Sequence, residues 1–376
     1  MKTLKVLLSL LLILSFSSVI SQTIYYASNR VLNAVNAYDE DGNYLNEFIE
    51  KDSGGLSNPQ DIVLHPDNFL LVTGSNNEQI KKFDALSGAY LGDWSDDSFD
   101  LGRPSKMSIG PDGLLYVTQW GTTSATARVV RFDMDGNYLG GFTPLAPTGL
   151  GHVWDDDGNF YLAVFGVSTG IGNVRKYDPN GNLIEIFIDS TFLENPTYIW
   201  WDSNGDMLVQ DFTAGKVLRY DNNGDYLGEF ITGLSNPEGI TVLENGHILI
   251  SERGANQITE FDSDGTLIGQ WDDGVGTLAG PNFIEPIETP TFGIDDLGAS
   301  VVMVTPTMGR QFNFEESLTG DYESIRIYNM AGVEVETIHL DEQRFWNASG
   351  WAEGMYFLVA LDVHGRKSHQ KIIVSK

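Results

Sequence analysis

The sequence predicts an all-β chain: a six-bladed β-propeller closed by pairing of its N- and C-terminal strands, followed by a small C-terminal antiparallel β-sandwich. Three observations carry that expectation. First, an aromatic–Asp pair, a glycine-containing turn and a strand ending in an aromatic recur, as in "YDEDGNYLNEF", "FDMDGNYLGGF" and "YDNNGDYLGEF". Second, the six copies begin at Tyr38, Phe83, Phe132, Tyr177, Tyr220 and Phe261, 41 to 49 residues apart, a spacing typical of propeller blades. Third, another element precedes the aromatic–Asp pairs, as in "RPSKMSIGPDGLLYVTQ" and "NPEGITVLENGHILISE". In it a Pro opens a short β-branched strand, a turn with Asn or Gly follows, and a second alternating strand comes next. A third strand then runs into the aromatic–Asp turn. Alternation at period two between Asn, Asp, Gly and Pro clusters marks antiparallel strands joined by tight turns, four to a unit.

Along the chain, "MKTLKVLLSLLLILSFSSVIS" places Lys2 and Lys5 before an apolar run from Leu7 to Phe16 and small residues ending at Ser21. This pattern reads as a secretory signal peptide over residues 1–21, cleaved between Ser21 and Gln22. The apolar run is shorter than the roughly 20 residues a span needs, and no later segment would cross a bilayer as a helix. Residues 22–288 form the propeller. The opening proline recurs at Pro59, Pro104, Pro147, Pro196, Pro237 and Pro281. The first hairpin lacks the strand that such a proline opens, whereas "GPNFIEPIE" lacks the strands that should follow it. Residues 281 to 288 therefore supply the innermost strand of a blade whose outer three come from residues 23 to 49. That pairing seals the ring and leaves no free sheet edge there.

Composition narrows the function. The 376 residues contain no Cys, which excludes disulfides, a thiol nucleophile and thiolate metal sites. Fifty-two acidic against 22 basic residues give a formal charge of −30. Phosphate backbones would be repelled, so nucleic acid is not an expected partner. An acidic coat also keeps an exported protein soluble. Asp39, Asp84, Asp133, Asp178, Asp221 and Asp262 open the repeated hairpins, and an Asp there accepts a hydrogen bond from the backbone two residues on, without any ligand. "DxDGN" at Asp39–Asp41 and Asp133–Asp135 matches part of a calcium loop but lacks the chelating Glu that completes one.

Strand direction puts two sets of side chains on one rim of the channel. The ends of the second strands carry Ser28-Asn29, Gly74-Ser75, Gln119-Trp120, Phe165-Gly166, Asp211-Phe212 and Glu252-Arg253. Just after the opening prolines stand Gln60, Ser105, Thr148, Thr197, Glu238 and Asn282. From these, Gln60, Gln119, Trp120, Phe165, Thr197, Asp211, Phe212, Glu238, Glu252, Arg253 and Asn282 are the candidate ligand-binding rim. Amides, hydroxyls and carboxylates beside aromatic faces suit a carbohydrate, a peptide or another protein. His65, His152 and His247 do not converge: the first and last lie beside turns of the opposite face, and only His152 reaches the channel. No Gly-x-Ser-x-Gly motif is present, and no catalytic residue is identified.

The Pro-x-x-apolar openings (Pro59-Gln60-Asp61-Ile62, Pro237-Glu238-Gly239-Ile240), the turn at Pro111-Asp112-Gly113 and "YDxxGxxL" resemble the NHL-repeat family of six-bladed propellers over roughly residues 23 to 288. That family implies the fold and leaves function open among lyases, lactonases and binding modules. A resemblance in fold to gluconolactonase-like propellers implies one divalent ion held by Glu, Asn and Asp oxygens. Asp211, Glu238 and Asn282, with Glu252 or Asp61 in reserve, are the candidate ligands, and calcium is the ion that oxygen donors suit. The second functional expectation is accordingly a calcium-dependent hydrolase or lyase.

After Ile287 the composition shifts. Residues 289–300 read as a Pro-, Gly- and Asp-containing linker, and residues 301–376 carry strand-like runs without the repeat. "VTPTMGRQFNF", "IRIYNMAGVEV", "WAEGMYFLVALDVHGRKSHQKIIV" and the terminal Lys376 resemble the type A C-terminal sorting domain of the type IX secretion system of Bacteroidetes. Thr305 and Val304 depart from its usual Pro-Asn-Pro opening. The resemblance implies an address read by the type IX machinery at the outer membrane. A recognition module at the cell surface or outside the cell is the first functional expectation.

Overall fold

The computed structural model describes residues 21–290 apart from 86, 96–98, 122–126, 167–171 and 272–275. It also describes residues 299–375 apart from 301–302, 316–317, 319–321, 330–333, 341–342 and 363–366. The signal-peptide expectation, most of the linker and parts of the sorting motifs lie outside these residues. The chain divides into two compact units, one spanning Thr23–Ile287 and one containing Glu288–Lys376.

The first unit is built from four-stranded antiparallel sheets, made of chain-consecutive strands in all but the first. β1 (Ser21–Asn29), β2 (Ala34–Tyr38) and β3 (Tyr44–Ile49) begin the first sheet. The second comprises β4 (Pro59–Leu64), β5 (Phe69–Gly74), β6 (Gln79–Asp84) and β7 (Tyr90–Asp93). The third has β8 (Pro104–Ile109), β9 (Leu115–Gln119), β10 (Val129–Phe132) and β11 (Tyr138–Gly141). The fourth has β12 (Gly149–Trp154), β13 (Phe160–Val164), β14 (Asn173–Tyr177) and β15 (Leu183–Ile188). The fifth has β16 (Pro196–Trp201), β17 (Met207–Asp211), β18 (Lys216–Tyr220) and β19 (Tyr226–Thr232). The sixth has β20 (Pro237–Val242), β21 (Ile248–Glu252), β22 (Gln257–Phe261) and β23 (Leu267–Trp271). β24 (Pro281–Pro290) then joins the first sheet beside β1, in the order β24-β1-β2-β3.

The core lies between sheets rather than within one layer. Successive residues of a second strand face opposite neighbours: Leu70 and Val72 of β5 pack towards the first sheet, whereas Phe69 and Leu71 pack towards the third. Second strands are consequently buried along their whole length, as expected of a strand covered on both faces. Four more apolar clusters join the third sheet to the fourth, the fourth to the fifth, the fifth to the sixth, and the sixth to the first. In the last, Tyr25 and Ile284 meet Leu249, Ile258 and Trp271. Phe283 shares the other flanking cluster with Tyr26.

The recurrent turns explain themselves. Asp133 Oδ1 accepts the amides of Asp135 (3.0 Å) and Asn137 (2.9 Å), and its Oδ2 accepts the Asn137 side chain at 2.8 Å. The same net recurs at Asp39 and Asp178 and, in backbone form, at Asp221 and Asp262. These carboxylates fold their own turns, in keeping with the local role expected of them.

The second unit packs two sheets face to face. One has the order β25 (Ala299–Ser300), β33 (Lys367–Val374), β32 (Gly354–Asp362), β29 (Tyr322–Asn329), β30 (Glu334–His339), with β27 (Met308–Gly309) also on β33. The other is β26 (Val304–Thr305), β28 (Gln311–Phe314), β31 (Phe345–Asn347). Phe312, Phe314 and Trp346 from the small sheet share a core with Ile325, Leu358 and Ile372 from the large one. The expectation of a purely antiparallel sandwich needs correction, because β25 and β27 run parallel to β33. These two short strands occupy the edge of β33 that β32 leaves free, and so cover hydrogen-bonding groups that would otherwise be open.

Candidate functional site

Two repeated details of the sheets build a site. Each second strand is followed by one residue whose amide bonds to the carbonyl of a residue just before the first strand of the same sheet. These bonds are Ser75 to Asn58 (3.1 Å), Trp120 to Arg103 (2.7 Å), Phe165 to Thr148 (3.0 Å), Phe212 to Asn195 (2.9 Å), Arg253 to Asn236 (3.2 Å) and Arg30 to Gly280 (3.3 Å). The six side chains so fixed, Arg30, Ser75, Trp120, Phe165, Phe212 and Arg253, all line one cavity of about 300 Å³. In addition, the first strands break register directly after their opening residue: between Pro59 and Ile62, Pro104 and Met107, Gly149 and His152, Pro196 and Tyr198, and Pro237 and Gly239. A bulge re-aims a side chain, and Gln60, Ser105, Leu150 and Glu238, one from each of four such bulges, complete the lining together with Arg103.

Of the rim residues expected from sequence, the cavity brings together Gln60, Trp120, Phe165, Phe212, Glu238 and Arg253. It does not include Gln119, Thr197, Asp211, Glu252 or Asn282. Asp211 is fully buried and accepts the amides of Glu194 (2.6 Å), Asn195 (3.2 Å), Thr213 (3.1 Å) and Ala214 (3.1 Å), so that it fastens two loops. Glu252 does the same for the sixth sheet, accepting from Ser235 N at 2.6 Å, Gln257 and Thr259. Gln119 bonds to Leu101 O at 2.8 Å, and Thr197 Oγ1 reaches Pro237 O of the next sheet at 3.0 Å. Asn282 donates to Gln60 O at 3.2 Å and to Gln60 Oε1 at 2.6 Å.

Arg30, Arg103 and Leu150 join the lining without having been named from sequence. Arg30 holds the position after its second strand, one beyond the Ser28-Asn29 pair. Leu150 was hidden by Pro147. The fourth sheet opens at Gly149, which pairs with Val164 as Pro59 pairs with Gly74. Thr148, with φ 60°, takes the left-handed place that Asn58 (56°) and Asn236 (48°) hold elsewhere.

The lining has two chemically distinct walls. Trp120 meets Phe165 edge-to-face with centroids 5.3 Å apart, and Phe165 meets Phe212 likewise at 5.8 Å. The Arg253 guanidinium lies over Phe212 at 5.5 Å and 3.7 Å from Glu238, a cation–π distance. Arg30 donates Nε to Asn58 Oδ1 at 2.7 Å. Burial, and after it the neighbouring Arg253 charge, lower the proton affinity of Arg30.

One residue further along the first strands, buried charge continues. Lys106 Nζ bonds to the carbonyls of Asn282 (3.0 Å) and Gln60 (3.3 Å), and Asp61 Oδ2 accepts Met107 N at 2.6 Å. Burial raises Asp61 to about 7. His152, lowered to about 4 by burial, is a neutral partner of Ser108 Oγ at 2.5 Å. His65 and His247 have partners of their own, Met134 O of the next sheet and Glu260. Among the described residues no three His, Asp or Glu side chains form a metal-holding group.

Comparisons with known proteins follow this geometry. Residues 308–375 match the family of secretion system C-terminal sorting domains. The chain is similar to a protein of unknown function from Bacteroides caccae, at 19% identity and a TM-score of 0.55, over 71% of this chain and 99% of that one. It is similar to a nidogen/laminin complex chain at 13% identity and a TM-score of 0.56, over 70% and 98%. Virginiamycin B lyase from Staphylococcus aureus is matched at 15% identity and a TM-score of 0.48, over 68% and 85%. Such likenesses show the fold alone, and that fold is β-propeller-like. No curated protein matches the sequence. No helix among the described residues is long and apolar enough to cross a membrane. The C-terminal unit is a type IX secretion system sorting domain, which engages that machinery and directs export to the cell surface or beyond.

Proposed function

We propose that the exported unit is a closed, NHL-like six-bladed propeller that acts as a recognition module, with the rim cavity as its ligand site. Residues 1–21 would carry the chain across the inner membrane as a signal peptide, and the sorting domain carries it across the outer one. Contacts at every junction between consecutive sheets support closure. They run from Asn282 to Gln60, Asp61 to Met107, Ser108 to His152, Gly151 against Tyr198, Thr197 to Pro237, and Thr241 to Ile284.

One observation carries the recognition reading: the six positions after the second strands, equivalent by backbone bonding, all point side chains into one cavity. A repeated scaffold that varies these positions between arginine, serine and aromatics has the form of a binding surface. Its charged groups are one carboxylate and three guanidinium groups, a set that suits an organic ligand better than calcium. Asp211, one of the three candidate metal ligands, is already committed to amides.

The test is binding of the exported chain to glycan and peptide panels, with Trp120→Ala and Phe212→Ala. Stacked aromatics contribute about 1 kcal/mol or more each, so affinity for the true ligand drops roughly fivefold to tenfold or further. Unchanged binding in both variants removes the cavity as the site. A calcium-induced rise in melting temperature abolished by Glu238→Gln would instead favour the metal reading.

A further inference from the structure

The cavity has the opposite electrostatic character to its chain. In a sequence with 52 acidic and 22 basic residues, its lining contains Arg30, Arg103 and Arg253 and a single carboxylate, Glu238. Glu238 lies beside Arg253 at 3.7 Å. Among the described residues neither Arg30 nor Arg103 makes an ion pair, and the hydrogen bond from Arg30 goes to a neutral amide. Guanidinium groups do not discharge by losing a proton. Unpaired like charges held close together cost free energy, and an anion between them offsets that cost. Arginine is also the side chain whose planar fork fits a carboxylate.

The rest of the lining limits what carries the anion. Trp120, Phe165 and Phe212 follow one another at interplanar angles of 68° and 65°. They form a bent wall that receives C–H groups and not a parallel slot for a flat aromatic acid. The amides that follow the six second strands are already bonded within their own sheets, so these cavity positions offer no free backbone donor for an extended peptide to pair with. Ser75, Ser105 and Glu238 instead offer side-chain donors and acceptors matched to hydroxyl groups, beside Gln60, whose amide is held by Asn58 and Asn282. About 300 Å³ lies at the small end of ligand pockets.

Building on the recognition reading, we propose that the ligand is an acidic sugar. Its C–H face lies on the Trp120–Phe165–Phe212 wall, its hydroxyls meet Ser75, Ser105 and Glu238, and its carboxylate is held by Arg30 and Arg103.

Calorimetric titration of the exported chain with a galacturonate trisaccharide, the corresponding neutral galactose trisaccharide and an acidic peptide of equal charge tests this. The galacturonate is expected to bind at least roughly tenfold more tightly than the neutral sugar. Arg30→Gln and Arg103→Gln should each weaken it by roughly tenfold, with melting temperatures within a few degrees of wild type, whereas Arg30→Lys should recover part of the loss. Added salt should weaken the galacturonate and not the neutral sugar. Equal affinity for the two sugars, unchanged affinity in the arginine variants, or tighter binding of the peptide would each overturn the proposal. If the neutral sugar binds equally well and Trp120→Ala abolishes it, the recognition reading survives and the acid preference falls. If no probe responds to Trp120→Ala or Phe212→Ala, both fall.

Discussion

Gly136 meets two constraints at once. Its φ of 86° lies in the left-handed region, and a Cβ there would sit 2.1 Å from the carbonyl oxygen of Trp94, the aromatic that ends the preceding sheet. Gly88 stands in the same way against Phe48, Gly181 against Phe142 and Gly224 against Phe187, while Gly42 abuts the Trp271 ring. The aromatic closing each repeat is therefore the seat for the turn of the next. Gly205, with φ 82° but nothing within 4 Å of its missing Cβ, separates the two constraints. Gly205→Ala should cost about 1 kcal/mol of strain, and Gly136→Ala about 2–4 kcal/mol, read from urea unfolding. Equal losses would mean that the contact with Trp94 is soft. The sequence displayed both the glycine and the aromatic of every repeat, yet not that they touch. Their contact joins neighbouring units, and periodicity describes only what happens inside one.

First strands show where a pattern misleads. Strand type, turn chemistry and the four-stranded unit were legible because alternation and Asx turns are local. Aligning the first strands on proline failed in the fourth sheet, where Pro147 precedes the strand by two residues and Leu150, not Thr148, reaches the cavity. Bulges carry no residue signature of their own: Gln60 and Glu238 were placed correctly from the proline alignment, whereas Leu150 and the buried Lys106 were missed. Asp211 and Glu252 misled for another reason: a carboxylate at a strand end looks the same in sequence whether it meets a ligand or a neighbouring amide. For β24, removing residues 281–287 from the full chain should strip the first sheet of a strand. Residues 21–49 should then become the first site of limited proteolysis, and cooperative unfolding should be lost. Retained protease resistance there would show that β1 needs no partner.

Buried and exposed carboxylates pull the stability of the propeller-like unit in opposite directions. Hydrogen bonds from Asn137 and Asn182, and the amides of Asp225 and Thr266, hold Asp133, Asp178, Asp221 and Asp262 below the ordinary carboxylate range. Their stabilisation is present above that range and is lost as pH falls through the lowered values. Burial has the reverse effect on Asp61, raised to about 7, and on Glu285, raised to about 8 with a further contribution from Asp61. These two bind protons more tightly when folded, so their contribution is full at low pH and disappears as pH rises through the folded values. Melting temperature should therefore peak near about pH 5 and decline on both sides. Glu285→Gln should flatten the alkaline limb alone, and a curve still rising towards pH 9 would contradict this. The hydrogen bond from Phe283 N to Ser28 Oγ spans 255 positions, and its consequence lies in time rather than in energy. β1 has β2 on one edge, but its other edge waits for β24, the last strand of the unit. The first sheet can therefore be completed only after the other five have been synthesised.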